Sequence, residues 1–149
     1  DAEYVLVMSN AFATKGRAAI NRYRAQGMRV GLLRLRVLRP FPAQAIAAAL
    51  AGRKAVAVFD QNLSVGFGGI TYAEIASALY GRPDHPPLLS YVGGLGGKDL
   101  SVTEFDQILE DLQRCAATGQ AVPPRLLYTD REEAQMATFL HVAGKEAAG

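Results

Sequence analysis

The stretch Ala55-Val56-Ala57-Val58-Phe59-Asp60 decides the fold of this chain. Ala55 to Phe59 is apolar at every position, without the alternation of a half-solvated strand. A parallel strand covered by helices on both faces has this pattern, so the segment reads as a central strand. Its surroundings support that. Upstream, Arg29 to Val37 reads as a strand with Gly31, Leu33, Leu35 and Val37 on one face and Val30, Leu32, Arg34 and Arg36 on the other. The second face turns polar halfway along, as it does where a strand leaves a sheet. Arg39-Pro40-Phe41-Pro42 then breaks it, and a helix runs from Pro42 towards Gly52 with Ile46, Ala49 and Leu50 inward. Downstream, the polar and Gly-rich Asp60 to Gly69 precedes a helix with Ile70, Ala73, Ala76, Leu79 and Tyr80 inward, closed by Gly81.

The same alternation continues to both ends. Tyr4 to Met8 is a short strand, and Phe12 to Gln26 has helical spacing at Phe12, Ala19, Ile20 and Tyr23, closed by Gly27. Leu88 to Val92 is a fourth strand. The loop Gly93 to Asp99 precedes a helix in which Thr103 and Asp106 have capping-box spacing and Phe105, Ile108, Leu109, Leu112 and Cys115 form the inward stripe. After Pro123-Pro124, Leu126 to Tyr128 suggests an edge strand and Asp130 to Val142 a last helix with Thr129 as cap. Strands alternating with helices imply right-handed crossovers and a three-layer α/β/α fold on a mostly parallel sheet. We expect this domain to span residues 1–119, with a C-terminal extension over 120–149.

The 149 residues suffice for one core. A single cysteine, Cys115, excludes an internal disulfide and a cluster held by four thiolates of this chain, and points to a reducing, cytoplasmic setting. Net charge is +2 with no block of either sign, which gives no support to a nucleic-acid tail. No apolar run approaches a membrane span. The chain opens on Asp1, already close to a strand, which suggests part of something larger.

Open α/β sheets place ligands or partners beyond the carboxyl ends of their strands. Those ends are Ser9-Asn10, Arg39, Asp60-Gln61-Asn62 and Gly93-Gly94. The loop Gly93-Gly94-Leu95-Gly96-Gly97-Lys98-Asp99 offers backbone N–H groups and a lysine to an anion, or equally a turn needing positive φ and a close approach to a neighbouring chain. It is neither a dinucleotide fingerprint nor a phosphate loop. Asp60, Gln61 and Asn62, with Ser64 and Gly66, could bind a sugar or metal, or could bond their own backbone as turn residues do. Arg34, Arg36 and Arg39 could grip an anion or face a partner. His85 and His141 read as surface, Cys115 as core, and the pairs Glu110-Asp111 and Glu132-Glu133 as solvated faces.

Three segments in order, LLRLRVLRPFP (Leu32 to Pro42), AVAVFDQNLSVGFGG (Ala55 to Gly69) and GLGGKDL (Gly94 to Leu100), resemble 2-oxoacid:ferredoxin oxidoreductases. The likeness is greatest to the pyruvate enzyme, in the transketolase carboxyl-terminal-like domain of its alpha subunit, over about residues 3–115. The chain departs from the family's frequent Asp-Arg-Asn at Asp60-Gln61-Asn62, from Gly-x-Glu-Gly at Gly66-Phe67-Gly68-Gly69, and from a frequent arginine at Lys98. The resemblance implies membership of an enzyme complex that decarboxylates a 2-oxoacid oxidatively, with thiamine diphosphate, magnesium, iron–sulfur clusters and coenzyme A, and with ferredoxin as electron acceptor. It implies no cofactor or catalytic residue in this chain, which lacks the cysteines and the GDG-plus-Asn pattern. We expect an assembly domain that meets other subunits or domains through Arg39, Phe41 and the Gly93 to Asp99 loop. Changing Lys98 and Arg39 to Glu is expected to weaken assembly while sparing the domain's own melting. The alternative is a free-standing nucleotide- or phosphate-binding module built on that same loop.

Overall fold

In the computed structural model, residues 1–9, 11–65, 67–127, 131, 132, 134, 135 and 138 are described. Five strands, β1 (Tyr4–Met8), β2 (Val30–Arg34), β3 (Ala55–Asp60), β4 (Leu88–Val92) and β5 (Arg125–Leu126), form one sheet in the order β2-β1-β3-β4-β5. Every pairing is parallel. The fold is therefore three-layer α/β/α, and the expected mostly parallel sheet is wholly parallel among the described residues. Four helices supply the crossovers: α1 (Phe12–Ala25), α2 (Ala43–Leu50), α3 (Ile70–Leu79) and α4 (Val102–Thr118).

β3 is buried along its whole length, as its unbroken apolar run implies. Leu6, Ala57, Phe59, Leu89 and Tyr91 face α1 and α4, whereas Val5, Val7, Val56 and Val58 face α2 and α3. The two cores need different stripes from the helices. In α4 all five expected positions, Phe105, Ile108, Leu109, Leu112 and Cys115, are buried.

Several expectations are corrected. β2 stops at Arg34, not Val37, because its last partner, Met8, ends β1. In α2 the buried alanine is Ala47, with Ala49 only half-buried. α3 is rotated from the expected phase: Thr71, Ile75 and Leu79 are buried, while Ile70 is exposed and Tyr80 is 91% exposed. Alanines at Ala73, Ala76 and Ala78 leave that helix with a weak stripe, so its neighbours choose its phase. The capping box of α4 is Ser101 with Glu104, two residues before the expected Thr103 and Asp106. Asp111 is not solvated but 1% exposed. The edge strand is Arg125–Leu126; Tyr128, Thr129, Glu133 and His141 lie outside the described residues. So does most of the expected last helix, although residues 131, 132, 134, 135 and 138 are helical.

Candidate functional site

The chain runs from β1 outward to β2 and then returns across β1 to β3. The order thus reverses between β1 and β3, and it is outside the carboxyl ends at such a reversal that doubly wound sheets usually bind ligands in a crevice. Here side chains of the chain itself fill that crevice. Phe12, at the start of α1, stands edge-on to Phe59 of β3, with ring centroids 5.8 Å apart. Gly94 closes over it from β4. A Cβ there would lie 2.6 Å from Phe12 Cε2 and 3.2 Å from Gln61 Nε2, so the loop needs glycine for the close approach as well as for its φ of +69°. Phe12 was legible only as an inward helix residue; that it plugs the crevice depends on the strand order.

Asp60 ends β3 with its carboxylate buried. Its Oδ1 accepts the N–H of Thr71 at 3.0 Å and its Oδ2 that of Tyr72, also at 3.0 Å. Asn62 accepts the N–H of Ile70 at 2.9 Å and donates to Asp60 Oδ1 at 3.2 Å. Three orphan donors at the start of α3 are thereby satisfied by residues eight to twelve positions away in sequence, because the cap residue itself, Gly69, has no side chain. Gly69 must be small: a Cβ would meet Asp60 Oδ2 at 2.2 Å. The pair bonds backbone as turn residues do, but the backbone is that of the next helix. Gly66, in the same loop, lies outside the described residues.

Lys98 leaves the Gly93 to Asp99 loop inward. Its Nζ donates to the carbonyl of Leu127 at 2.8 Å and stands 3.1 Å from Glu104 Oε1 and 2.8 Å from Glu132 Oε2. Burial works against the ammonium, but hydrogen bonds to Glu132 and Glu104 outweigh it and hold its pKa above the usual lysine value. Burial likewise acts against the Glu104 carboxylate; Ser101, capping the same helix, and then Lys98 reverse that and keep its pKa below the ordinary value. The expectation that Lys98→Glu spares melting is corrected, since the new carboxylate would face Glu104. Asp99 pairs with Lys15, which holds its carboxyl below the usual range. Arg39 makes a two-pronged pair with Glu74 of α3, at 3.1 and 2.8 Å, and Phe41 packs on the α2–α3 core. Gly96 and Gly97, both at positive φ, form with Leu95 a single exposed 3₁₀ turn. Gly93 instead packs tightly: a Cβ would meet Phe59 Cε2 at 3.0 Å.

These side chains are thus arranged along one rim of the sheet, but they do not converge on a common point as the machinery of a reaction would. Asp60 and Asn62 present their oxygens to α3, not to a diphosphate or a metal. No group of three or more His, Cys, Asp or Glu among the described residues could hold a metal ion. Cys115 is buried, and burial pushes its thiol up, away from the thiolate that ligation or nucleophilic attack requires. The described residues do not fit thiamine diphosphate, its magnesium or an iron–sulfur cluster.

Apolar side chains also reach solvent at this rim. Between β3 and α3 the chain folds back on itself through a bridge of Ser64 to Gly68, and from this finger project Leu63, Val65 (96% exposed) and Phe67 (70%), with Ile70 beside them. A rim of internally satisfied polar groups beside an exposed apolar finger thus marks this doubly wound α/β domain.

Comparison with known proteins makes the class specific. The pyruvate:ferredoxin oxidoreductase core domain II matches residues 2–105, and the chain belongs to that family. It is 30% identical over 128 residues to the pyruvate synthase subunit PorA of Methanosarcina barkeri, covering 85% of this chain and 32% of that subunit. It is 32% identical over 120 residues to the ketoisovalerate oxidoreductase subunit VorA of Pyrococcus furiosus, covering 80% and 30%. With PorA of Methanothermobacter thermautotrophicus it shares 37% over 109 residues, covering 73% and 27%. The resemblance carried by the three motifs therefore holds, and all three lie inside the matched region. The chain spans about a third of the length of these relatives.

Proposed function

We propose that this chain is the non-catalytic assembly domain of a thiamine-diphosphate-dependent 2-oxoacid:ferredoxin oxidoreductase, working in the cytoplasm beside the domains or subunits that hold the cofactors. One observation carries the reading: at the carboxyl rim the polar groups are engaged internally while Leu63, Val65 and Phe67 are offered to solvent. Such a surface gains by excluding water against a partner, whereas a catalytic site needs polar groups free to meet substrate. The rest of the assembly would supply thiamine diphosphate with magnesium, coenzyme A and the iron–sulfur clusters, and ferredoxin would receive the electrons. Residues 1–119 form the domain in this reading, and 120–149 are an extension that begins by adding β5 to its sheet. A nucleotide module is the weaker reading, since the cation of the Gly93 to Asp99 loop is turned towards Glu104.

The test has two arms. The purified chain, titrated calorimetrically with thiamine diphosphate and magnesium and assayed for pyruvate-dependent viologen reduction, is expected to show neither binding nor turnover. Mixed with the remaining segment of a PorA-type subunit, it is expected to elute as a complex on size-exclusion chromatography. Micromolar cofactor binding, turnover above the blank, or failure to associate would overturn the proposal.

A further inference from the structure

β5 joins the sheet with little ladder to hold it: Tyr91 lies opposite Arg125 and Val92 opposite Leu126, and the pairing with β4 ends there. The chain that leads to it is exposed. From Ala117 to Pro124 only Val122 is half-buried, and Pro123 and Pro124 have no N–H to donate. A strand tethered through exposed chain opens at a lower free energy than the core it borders.

What fixes β5 is concentrated just after the ladder, at Leu127. Its side chain is buried over Gly93, where a Cβ would stand 3.3 Å from Leu127 Cβ. Its N–H donates to Val92 O at 2.8 Å, and its carbonyl accepts Lys98 Nζ at 2.8 Å. The same ammonium stands 3.1 Å from Glu104 on α4 and 2.8 Å from Glu132, further along the extension. One cation therefore joins α4 to the extension at two points. Lys98 also follows directly on the exposed Leu95–Gly97 turn, which its N–H closes by donating to Leu95 O at 3.1 Å. A shift of the turn moves the cation. Cys115 is buried where β5 meets the core: it acts electrostatically on Tyr91, the residue opposite Arg125, and Val122 packs on the same apolar cluster.

We propose that Lys98 is a latch between the Leu95–Gly97 turn and β5, which gives the carboxyl rim a closed and an open form. In the closed form the ammonium bridges Glu104 to Leu127 O and Glu132. In the open form it keeps Glu104 alone, and residues 120–127 leave β4 while β1 to β4 stay folded. The Tyr91–Val92 edge and Cys115 then meet solvent. The turn is where a contact selects between the forms, because it is covalently next to the cation that holds β5. A partner that binds the turn better in one form shifts the population towards that form. This latch goes beyond the assembly reading and stands without it.

Cys115, the sole thiol, reports the open form without an added label. The full chain would be exposed to Ellman's reagent over a range of urea concentrations below its unfolding transition. Opening of β5 alone gives labelling that rises weakly with urea, whereas labelling through global unfolding rises as steeply as the equilibrium transition. The weak dependence is expected. Lys98→Met should speed labelling on the order of tenfold, since it removes charge-assisted bonds to both points of the extension. Glu132→Gln, which weakens one of them, and Gly96→Ala, which strains the turn at a φ of +62° with open space around it, should each speed it several-fold. Labelling that follows global unfolding in the unaltered chain, or an unchanged rate in Glu132→Gln or in Gly96→Ala, would overturn the proposal. Should Lys98→Met fail to fold, judged by circular dichroism, the unaltered chain and the two milder variants decide.

Discussion

Asp60 shows how one side chain can close a strand and open a helix. Two N–H groups of α3 end on its carboxylate, which is 1% exposed. Asp60→Ala should therefore cost about 2–3 kcal/mol, from a lost cap and from buried donors left unpaired, measured by urea unfolding. Gly69→Ala drives a methyl group into the same carboxylate and should destabilise by about 1–3 kcal/mol with Asp60 intact. Both residues were legible as turn formers; the helix they serve was not, because its N–H groups are brought to Asp60 only by the crossover. Lys98 and Glu104 behave as a pair. Lys98→Met should cost about 2 kcal/mol, less than the roughly 3–5 of a fully buried pair because Glu132 lies nearer solvent. Their pH dependence follows from the directions of shift. Glu104, lowered in the fold, contributes fully above the ordinary carboxyl value near about 4.3, and that contribution is lost as pH falls through its folded value. Lys98, raised in the fold, contributes fully below about 10.4 and loses its contribution as pH rises through its folded value. Glu104→Gln should accordingly flatten the acid side of the stability profile followed by thermal melts.

Among the elements, β5 depends most on its neighbours. Two residues of ladder are too few to hold an edge strand, and side chains reinforce them. Asp111, buried on α4, accepts the hydroxyl of Tyr91 on β4 at 2.8 Å, pairs with Arg114, and lies 3.6 Å from Arg125 on β5. Burial raises the Tyr91 hydroxyl well above the usual tyrosine pKa, so it stays a donor throughout the accessible range. Tyr91→Phe should cost about 1–2 kcal/mol, seen as a melting point lower by several degrees, since a buried carboxylate loses a hydrogen bond without losing its burial. The acidic pair Glu110-Asp111 looks uniformly solvated in the sequence; the helix phase places Glu110 outward and Asp111 against β4. The α4 stripe was legible because its apolar residues are large and regularly spaced, whereas the alanines of α3 are compatible with more than one phase.

For the molecule as a whole, the two cores on either face of one sheet predict a single cooperative unfolding transition, checked by circular dichroism against temperature. The apolar finger takes no part in either core. Val65→Glu with Phe67→Glu should leave the melting point within the small change expected of exposed substitutions while abolishing association with the rest of a PorA-type subunit. A fall in melting comparable to that of Asp60→Ala would instead assign the finger to the fold.

The linear sequence determined the order of strands and helices, the burial of β3, the parallel character of the sheet and the family. Each is recorded in local periodicity and in motifs that a single segment carries whole. Tertiary structure alone decided that Phe12 and Gly94 would fill the crevice between β1 and β3, that Asp60 and Asn62 would cap α3, and that Lys98 would turn inward to Glu104. A side chain's role depends on which atoms stand within a few ångströms of it. For these residues the decisive partners are distant in sequence and meet only when the strand order and helix phases are set.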